Sequence, residues 1–328
     1  MKNTLKISKK SYIKPPKKVI ITGASGFIGS SLTKLLLKNQ YHVIALENKT
    51  KVSLINSPNF SIVKLTDFLM DRGKLLNNSY ALIHLASKTH SSIKDNKKNL
   101  AEYEKTNIHL TEAICSLAIK HNIEKIIYLS SIKVNGEDST KSGFHEDDIP
   151  RPTDLYGKTK LEAENTIKNL CLGKTVKYFI LRPPLVYGDT HKGNIGSLVK
   201  LIKSGLPLPL KKINNKRSLI YIENLNSAIL SCLKNDEVNS SIYLVCDDDS
   251  LSTPELITKI AKIMNKRIII FNFPISLLSA ITKLFKQNSK FDKLNSNLVA
   301  NNQKFKQDFG WNPPYTTNKG IKKSFSRN

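Results

Sequence analysis

The stretch ITGASGFIGSS, Ile21–Ser31, sets three glycines, Gly23, Gly26 and Gly29, between a β-like apolar run, Val19–Ile21, and a helical segment, Ser30–Lys38. Glycine lets the backbone turn tightly and lie against a bulky anion, and a helix that starts there offers unpaired N–H groups and the positive end of its dipole. This is the setting that holds the pyrophosphate of a dinucleotide. A tight strand–helix turn with no ligand has the same spacing, so the glycines alone do not decide. Glu47 lies directly after the second apolar run, 18 residues beyond Gly29, where an acidic group binds ribose hydroxyls. Its charge repels the extra phosphate of NADP and favours NAD, while Lys49 and Lys51 close by keep NADP open.

Outward from this turn the chain alternates. Val43–Leu46, Ser61–Leu65, Ala81–Leu85, Ile126–Leu129 and Tyr178–Leu181 are short and rich in β-branched or aromatic residues. Between several of them, Ser30–Lys38, Leu100–His121 and Asp154–Leu170 repeat apolar residues at three- and four-residue intervals. That alternation predicts an α/β fold, a doubly wound parallel sheet of Rossmann type covered on both faces. After Tyr187–Gly188 the rhythm loosens, which predicts a smaller C-terminal α/β substrate domain. The expected organisation is a basic tail over 1–17 and a dinucleotide-binding domain over 18–189 with returning elements around 216–249. Residues 190–328 then form most of the second domain. Ser252 or Thr253 caps a helix there with Pro254 in its first turn, and Trp311, the only tryptophan, is expected to pack that domain shut.

The 328 residues carry 52 Lys plus Arg against 26 Asp plus Glu, a formal charge of +26, with 40% hydrophobic residues. This is globular rather than disordered composition. A cationic field attracts polyanions, yet the lysines are scattered and no zinc-finger, RNA-motif or helix-turn-helix pattern is present, so no nucleic-acid partner is expected. Four cysteines and seven histidines form no ligand spacing, so no metal site is expected and the thiols are read as reduced, in a cytoplasmic protein. The longest uncharged run, Ile268–Thr282, is 15 residues and includes Asn272 and Pro274, too short for the roughly 20 that span a bilayer. It reads as a strand followed by a helix. The basic N-terminus lacks a secretory apolar core and leaves peripheral contact with an anionic membrane open.

A second constellation joins LSSIKVNG to DLYGKTKLEAE. Tyr156 and Lys160 stand four apart on one helical face, and Ser131 ends the fifth strand, at the carboxyl edge where such sheets bind ligands. A phenol with a pKa near 10 is a poor base at neutral pH unless a cation stabilises the phenolate. Lys160 and the positive ring of an oxidised nicotinamide would do so, with Ser131 hydrogen-bonded to the reacting oxygen.

With these motifs, and with LRPPLVYG after the sixth strand, the chain from Lys18 to about Phe325 resembles the extended short-chain dehydrogenase/reductases, the nucleotide-sugar epimerases and dehydratases. The resemblance implies a catalytic triad of Ser131, Tyr156 and Lys160. It puts Phe27 and Ile28 at the pyrophosphate turn, and Asp67 with Phe68 beside the adenine. It also has Leu85, Ala86 and Ser87 of HLASKTH line the cofactor, Asn107 lie in the helix beneath, and Pro184 face the nicotinamide. Asn194 and Arg217 match positions that bind the nucleotide diphosphate, and the family pairs as homodimers through helices such as Leu100–His121 and Asp154–Leu170.

Closer still, SSIKVNGE, RPPLVYG, LPLPL with NNKRSLIYIENL, and DSLSTPEL resemble a bacterial UDP-glucose 4-epimerase-like subgroup that includes 4-ketoreductases of UDP-N-acetyl-6-deoxyhexoses used for surface polysaccharides. Dehydratases of the family carry Asp-Glu after the catalytic serine or threonine; here Ile132 and Lys133 follow Ser131, which argues against dehydration. The leading expectation is an NAD-dependent 4-epimerase of a UDP-hexose or UDP-N-acetylhexosamine, with an NAD(P)H-dependent 4-ketoreductase as the alternative. A non-catalytic NAD-binding sensor is the reading outside enzymology.

Overall fold

The computed structural model describes residues 16–48, 55–89, 97–140, 142–189, 193–274, 276–277 and 295–326. The glycine stretch joins β1 (Lys18–Thr22) to α1 (Phe27–Lys38), and β2 (His42–Glu47) and β3 (Phe60–Lys64) follow. Next come α2 (Leu65–Met70) and β4 (Ser79–His84). The long helix expected over 100–121 is three pieces: α3 (Lys97–Tyr103), a π-helical turn (Glu104–His109) and α4 (Leu110–Lys120). β5 (Lys125–Leu129), α5 (Leu155–Cys171) and β6 (Lys177–Arg182) complete the first half.

These strands and β9 (Ser241–Leu244) form one seven-stranded sheet in the order β3-β2-β1-β4-β5-β6-β9, every pair parallel. The chain winds outward from β1 to β3 and then returns to start again at β4. The carboxyl ends of β1 and β4 therefore stand side by side, Thr22 opposite His84, and open the crevice in which doubly wound sheets bind ligands. β1, β4 and β5 are apolar and buried on both faces, as a sheet with helices on each side requires.

Two cores result. On one face Val19, Ile21, Leu32, Leu36, Leu225 and Ile229 pack α1 and α7 (Ile222–Lys234) onto the sheet; on the other, Ile20, Leu82, Ile126, Ile114 and Ile167 pack α4 and α5. A third core surrounds a small sheet of β7 (Leu185–Tyr187), β8 (Arg217–Tyr221) and β10 (Ser250–Leu251). It is built with α6 (Gly193–Ser204), α8 (Thr253–Ile263) and α10 (Thr317–Phe325). Ser252 caps α8 in a full capping box with Glu255.

Trp311 corrects its expectation. It joins the first core, edge-on to Phe305 of α9 (Gln303–Phe309), and its indole N–H donates to Ser227 Oγ at 3.2 Å. It packs beside α7 in the core of the main sheet and not in the smaller domain. Of the Ile268–Thr282 run, Ile270 bridges Leu208; residues 275 and 278–282, like the tail over 1–15, lie outside the described residues. Among the described residues no helix is long and apolar enough to cross a membrane.

Candidate active site

The glycines meet steric needs. A Cβ on Gly29 would lie 2.1 Å from Gly23 O, and one on Gly23, where φ is +72°, would lie 2.9 Å from Ala86 N. The turn, the start of α1 and the loop after β4 thus press together with no space for side chains. Gly26 is the N-cap of α1, no side chain caps the helix, and its first turn holds no acidic residue. The amides of Phe27 and Ile28 therefore retain the polarity that binds an anion. The Phe27 side chain itself packs toward Gly188 and the third core.

Glu47 ends β2 with its carboxylate aimed back at the turn: Ser25 N donates to Oε1 at 2.6 Å and Ser25 Oγ to Oε2 at 2.7 Å. Lys49 and Lys51 lie outside the described residues. Asp67 is exposed in α2, while the Phe68 side chain is fully buried in the second core. Phe68 can offer an adenine only its backbone.

The loop after β4 is held by side chains that sequence reasoning did not single out. Leu85 N and Ala86 N donate to Thr22 Oγ1 at 3.2 and 3.1 Å. Thr22 Oγ1 lies 2.6 Å from His84 Nδ1, and His84 Nε2 lies 2.9 Å from Thr111 Oγ1. Thr111 spends its own proton on Asn107 O at 2.7 Å, so it must accept from His84 Nε2–H, and Nδ1 must accept from Thr22. The fully buried His84 is thereby a neutral imidazole of one tautomer; burial, then the charge of Lys160, pulls its pKa down to about 3. Asn107 sits in the π-helical turn, where its Oδ1 accepts from Ser87 Oγ and Lys88 N. Its Nδ2 donates to Lys88 O and Thr159 Oγ1.

Ser131 lies two residues past β5, where it caps a short helical turn, and Tyr156 opens α5, which Asp154 caps through Gly157 N at 2.7 Å. Burial pushes the Tyr156 phenol up to about 12, against hydrogen bonding with Ser131, the larger effect, and with Ser87. Lys160 is buried one turn deeper. Its Nζ donates to Leu129 O at 2.7 Å and Tyr128 Oη at 3.1 Å, above the Tyr128 ring. Burial pulls its pKa down to about 7, opposed by Glu164. The ammonium is turned to Leu129 and Tyr128, and the expected lowering of the phenol joins Lys160 to the positive ring of an oxidised nicotinamide. An ammonium has three donors, and among the described residues Lys160 uses two.

Beneath this cluster lies a buried ion pair. Arg182 Nη2 and Nε donate to the Glu164 carboxylate at 2.6 and 2.9 Å, Ser130 Oγ donates to the same carboxylate, and Arg182 Nη1 donates to Asn135 Oδ1 at 3.1 Å. Glu164 stands four residues beyond Lys160 and Arg182 opens RPP, so both had a mark in the sequence. Pro184 is buried just after β6. Arg217, at the start of β8, donates to Ser296 O at 3.3 Å; burial lowers its pKa and the nearby Glu137 and Asp138 oppose the shift. Asn194 belongs to the first turn of α6; its side chain lies outside the described residues.

Residues 19–246 match the family described as the NAD dependent epimerase/dehydratase family. The chain belongs to that family. It is 31% identical over 317 residues to a UDP-glucose 4-epimerase of Vibrio cholerae, covering 95% of each chain. It is 25% identical to a dTDP-4-dehydro-6-deoxyglucose reductase of Escherichia coli, covering 93% of this chain and 95% of that one. Among solved structures, a UDP-glucuronic acid 4-epimerase from Bacillus cereus in complex with NAD superposes with a TM-score of 0.74 at 22% identity, covering 94% and 97%. The cofactor of this epimerase/dehydratase family is NAD. The side-chain-free turn, the uncapped start of α1 and the oriented carboxylate of Glu47 fit its pyrophosphate and adenosine ribose.

Proposed function

We propose that this chain is an NAD-dependent 4-epimerase of a UDP-hexose or UDP-N-acetylhexosamine. The reading rests on one juxtaposition: Ser131 and Tyr156 hydrogen-bonded to each other at the carboxyl end of β5, one helical turn from a buried Lys160 with a donor to spare. Bound NAD supplies a two-electron acceptor and the positive ring that a phenolate needs. Gly23, Gly26, Gly29, Phe27 and Ile28 would hold its pyrophosphate, Glu47 its ribose, and Asp67 with the Phe68 backbone its adenine. Leu85, Ala86, Ser87 and Pro184 would wall the nicotinamide, with Asn107 bracing that wall. Lys160 would give its remaining N–H to the second ribose.

Tyr156 takes the proton of the sugar 4-hydroxyl and later returns it, while Ser131 hydrogen-bonds the same oxygen through the 4-keto stage. Arg217 and Asn194, from the second domain over 190–328, would bind the diphosphate, for which the guanidinium fork is suited. We also place a homodimer contact on the outer surfaces of α4 and α5, and the product in surface polysaccharide synthesis. The carboxylate of Glu47, held from two sides by Ser25, opposes a ribose phosphate and supports retained NAD, which is why epimerisation is preferred to 4-keto reduction.

Purified protein is expected to release stoichiometric NAD on denaturation and to interconvert gluco and galacto UDP-sugars. Tyr156→Phe should keep its NAD and lose about 10²–10⁴-fold in turnover. Unchanged turnover would overturn the assignment of Tyr156. A protein that releases no NAD and consumes NADH in step with a 4-keto sugar, with no interconversion, would be the reductase.

A further inference from the structure

The lysines are spread along the chain, but the acids are not. Residues 193–222 hold six Lys or Arg and 256–291 hold seven, with no Asp or Glu in either stretch. The fold brings the two together: Leu208 N donates to Ile269 O at 2.8 Å, Phe271 N to Leu208 O at 3.0 Å, and Lys211 N to Phe271 O at 3.2 Å. Leu208 is 6% exposed and belongs to the third core, and its bridge partner Ile270 packs against that core. The alternation of an extended segment then sends Ile269 and Phe271 to the other side, toward solvent. Leu206, Ile269 and Phe271 are 59%, 50% and 38% exposed.

Around them Lys203, Lys211, Lys212, Lys266 and Arg267 are exposed. None of these five pairs with an acid among the described residues. Scattered single apolar residues on a surface need no explanation, but Ile269 and Phe271 beside the Leu208 bridge, with Leu206 two residues before it, stand among unpaired cations in an interfacial pattern.

We infer that this strip docks on an anionic bilayer surface. The headgroup layer alone takes both parts of the pattern: acidic lipids neutralise the cations, and the Leu, Ile and Phe side chains enter the headgroup–acyl boundary. A nucleic acid would pair with the lysines and leave Leu206 and Ile269 in water, since aliphatic side chains do not stack on bases as aromatic ones do. A second copy of the chain would bring a like-charged strip against this one. Contact is peripheral, and it is independent of the reaction at the end of β5.

The test uses the full chain and sedimented vesicles of phosphatidylcholine with or without phosphatidylglycerol at low salt. The protein should pellet with the anionic vesicles and stay in solution with the neutral ones. Leu206→Ser with Phe271→Ser, and separately Lys211→Glu with Lys212→Glu, should each weaken partition by at least about tenfold. Both pairs change exposed side chains, so the melting temperature and turnover on a soluble UDP-sugar should be unchanged. The inference is overturned if the protein ignores anionic vesicles, or if both double variants pellet like the wild type, which would assign binding to another part of the chain. It is equally overturned if the variants alter DNA binding or oligomeric mass but not vesicle partition.

Discussion

Two lysines flank β5, one at each end, and both are buried, Lys125 at 2% and Lys160 at 1% exposure. Lys125, where the strand begins, donates to the carbonyls of Cys232, Leu233 and Asn235 at the end of α7 and lies 2.6 Å from the Asp236 carboxylate. Every donor has an acceptor, and the charge sits on the negative end of a helix dipole. Lys160, just past the strand's other end, has among the described residues one carbonyl, one phenol and no carboxylate in contact. Burial lowers the pKa of both, and at Lys125 the Asp236 carboxylate opposes part of that shift. The same residue type is a staple where its hydrogen bonds are complete, and a working group where they are not.

Removing each amine should therefore have opposite effects. Lys160→Met is expected to cut turnover by about 10²–10⁴-fold, since the phenol loses its nearby cation. It should also stabilise the fold by about 1–4 kcal/mol, because an incompletely paired buried charge is gone. Lys125→Met should leave turnover of the folded protein intact and cost about 1–3 kcal/mol, since three carbonyls lose their donor. Activity assays beside thermal melts check both. A Lys160→Met protein that melts lower than wild type would erase the distinction.

Stability against pH sharpens it. The unfolded chain keeps Lys160 protonated up to its ordinary value of 10.5, whereas the fold releases that proton from about 7. Between those limits the unfolded state binds more protons, so this group's contribution to stability rises with pH. Melts from pH 7 to 9 should gain about 2 kcal/mol more in the wild type than in Lys160→Met. Equal slopes would place the lysine's pKa outside that window.

His84 is the exception that tests the rule, a group at the working end whose two ring nitrogens are both committed. His84→Asn should break the line from Asn107 through Thr111 and Thr22 to the amides of Leu85 and Ala86. The expected result is a loss of about 5- to 100-fold in NAD affinity, with the pH profile of turnover unmoved. A shifted profile would make His84 a proton carrier and not a brace.

The glycine turn, the strand-end serine and the Tyr156–Lys160 spacing were legible because each follows from local geometry that residue type enforces. The brace was not, since His84 lies within an apolar run and its partners are 62 and 27 residues away. Nor was the π-helical turn that aims Asn107, as its side-chain pattern is that of an ordinary amphipathic helix. β7 and β10, of three and two residues, are too short to display a period. Trp311 was assigned to the wrong core because an apolar residue near the C-terminus says only that some face is open, not which one.

The mildest case is Ser25, an exposed residue whose amide and hydroxyl each take one oxygen of Glu47. A carboxylate has about four lone-pair positions, so two remain for a ribose diol, and Ser25 acts by fixing which way they point. Ser25→Ala removes one hydrogen bond and keeps the other. NAD affinity should fall by about 3- to 10-fold, the value of one such bond, with turnover and melting temperature unchanged. Titration of the variant with NAD and NADP separates orientation from charge. If Ser25 only orients the carboxylate, NADP stays excluded; if NADP gains on NAD, the hydroxyl was holding the negative charge in place against the phosphate.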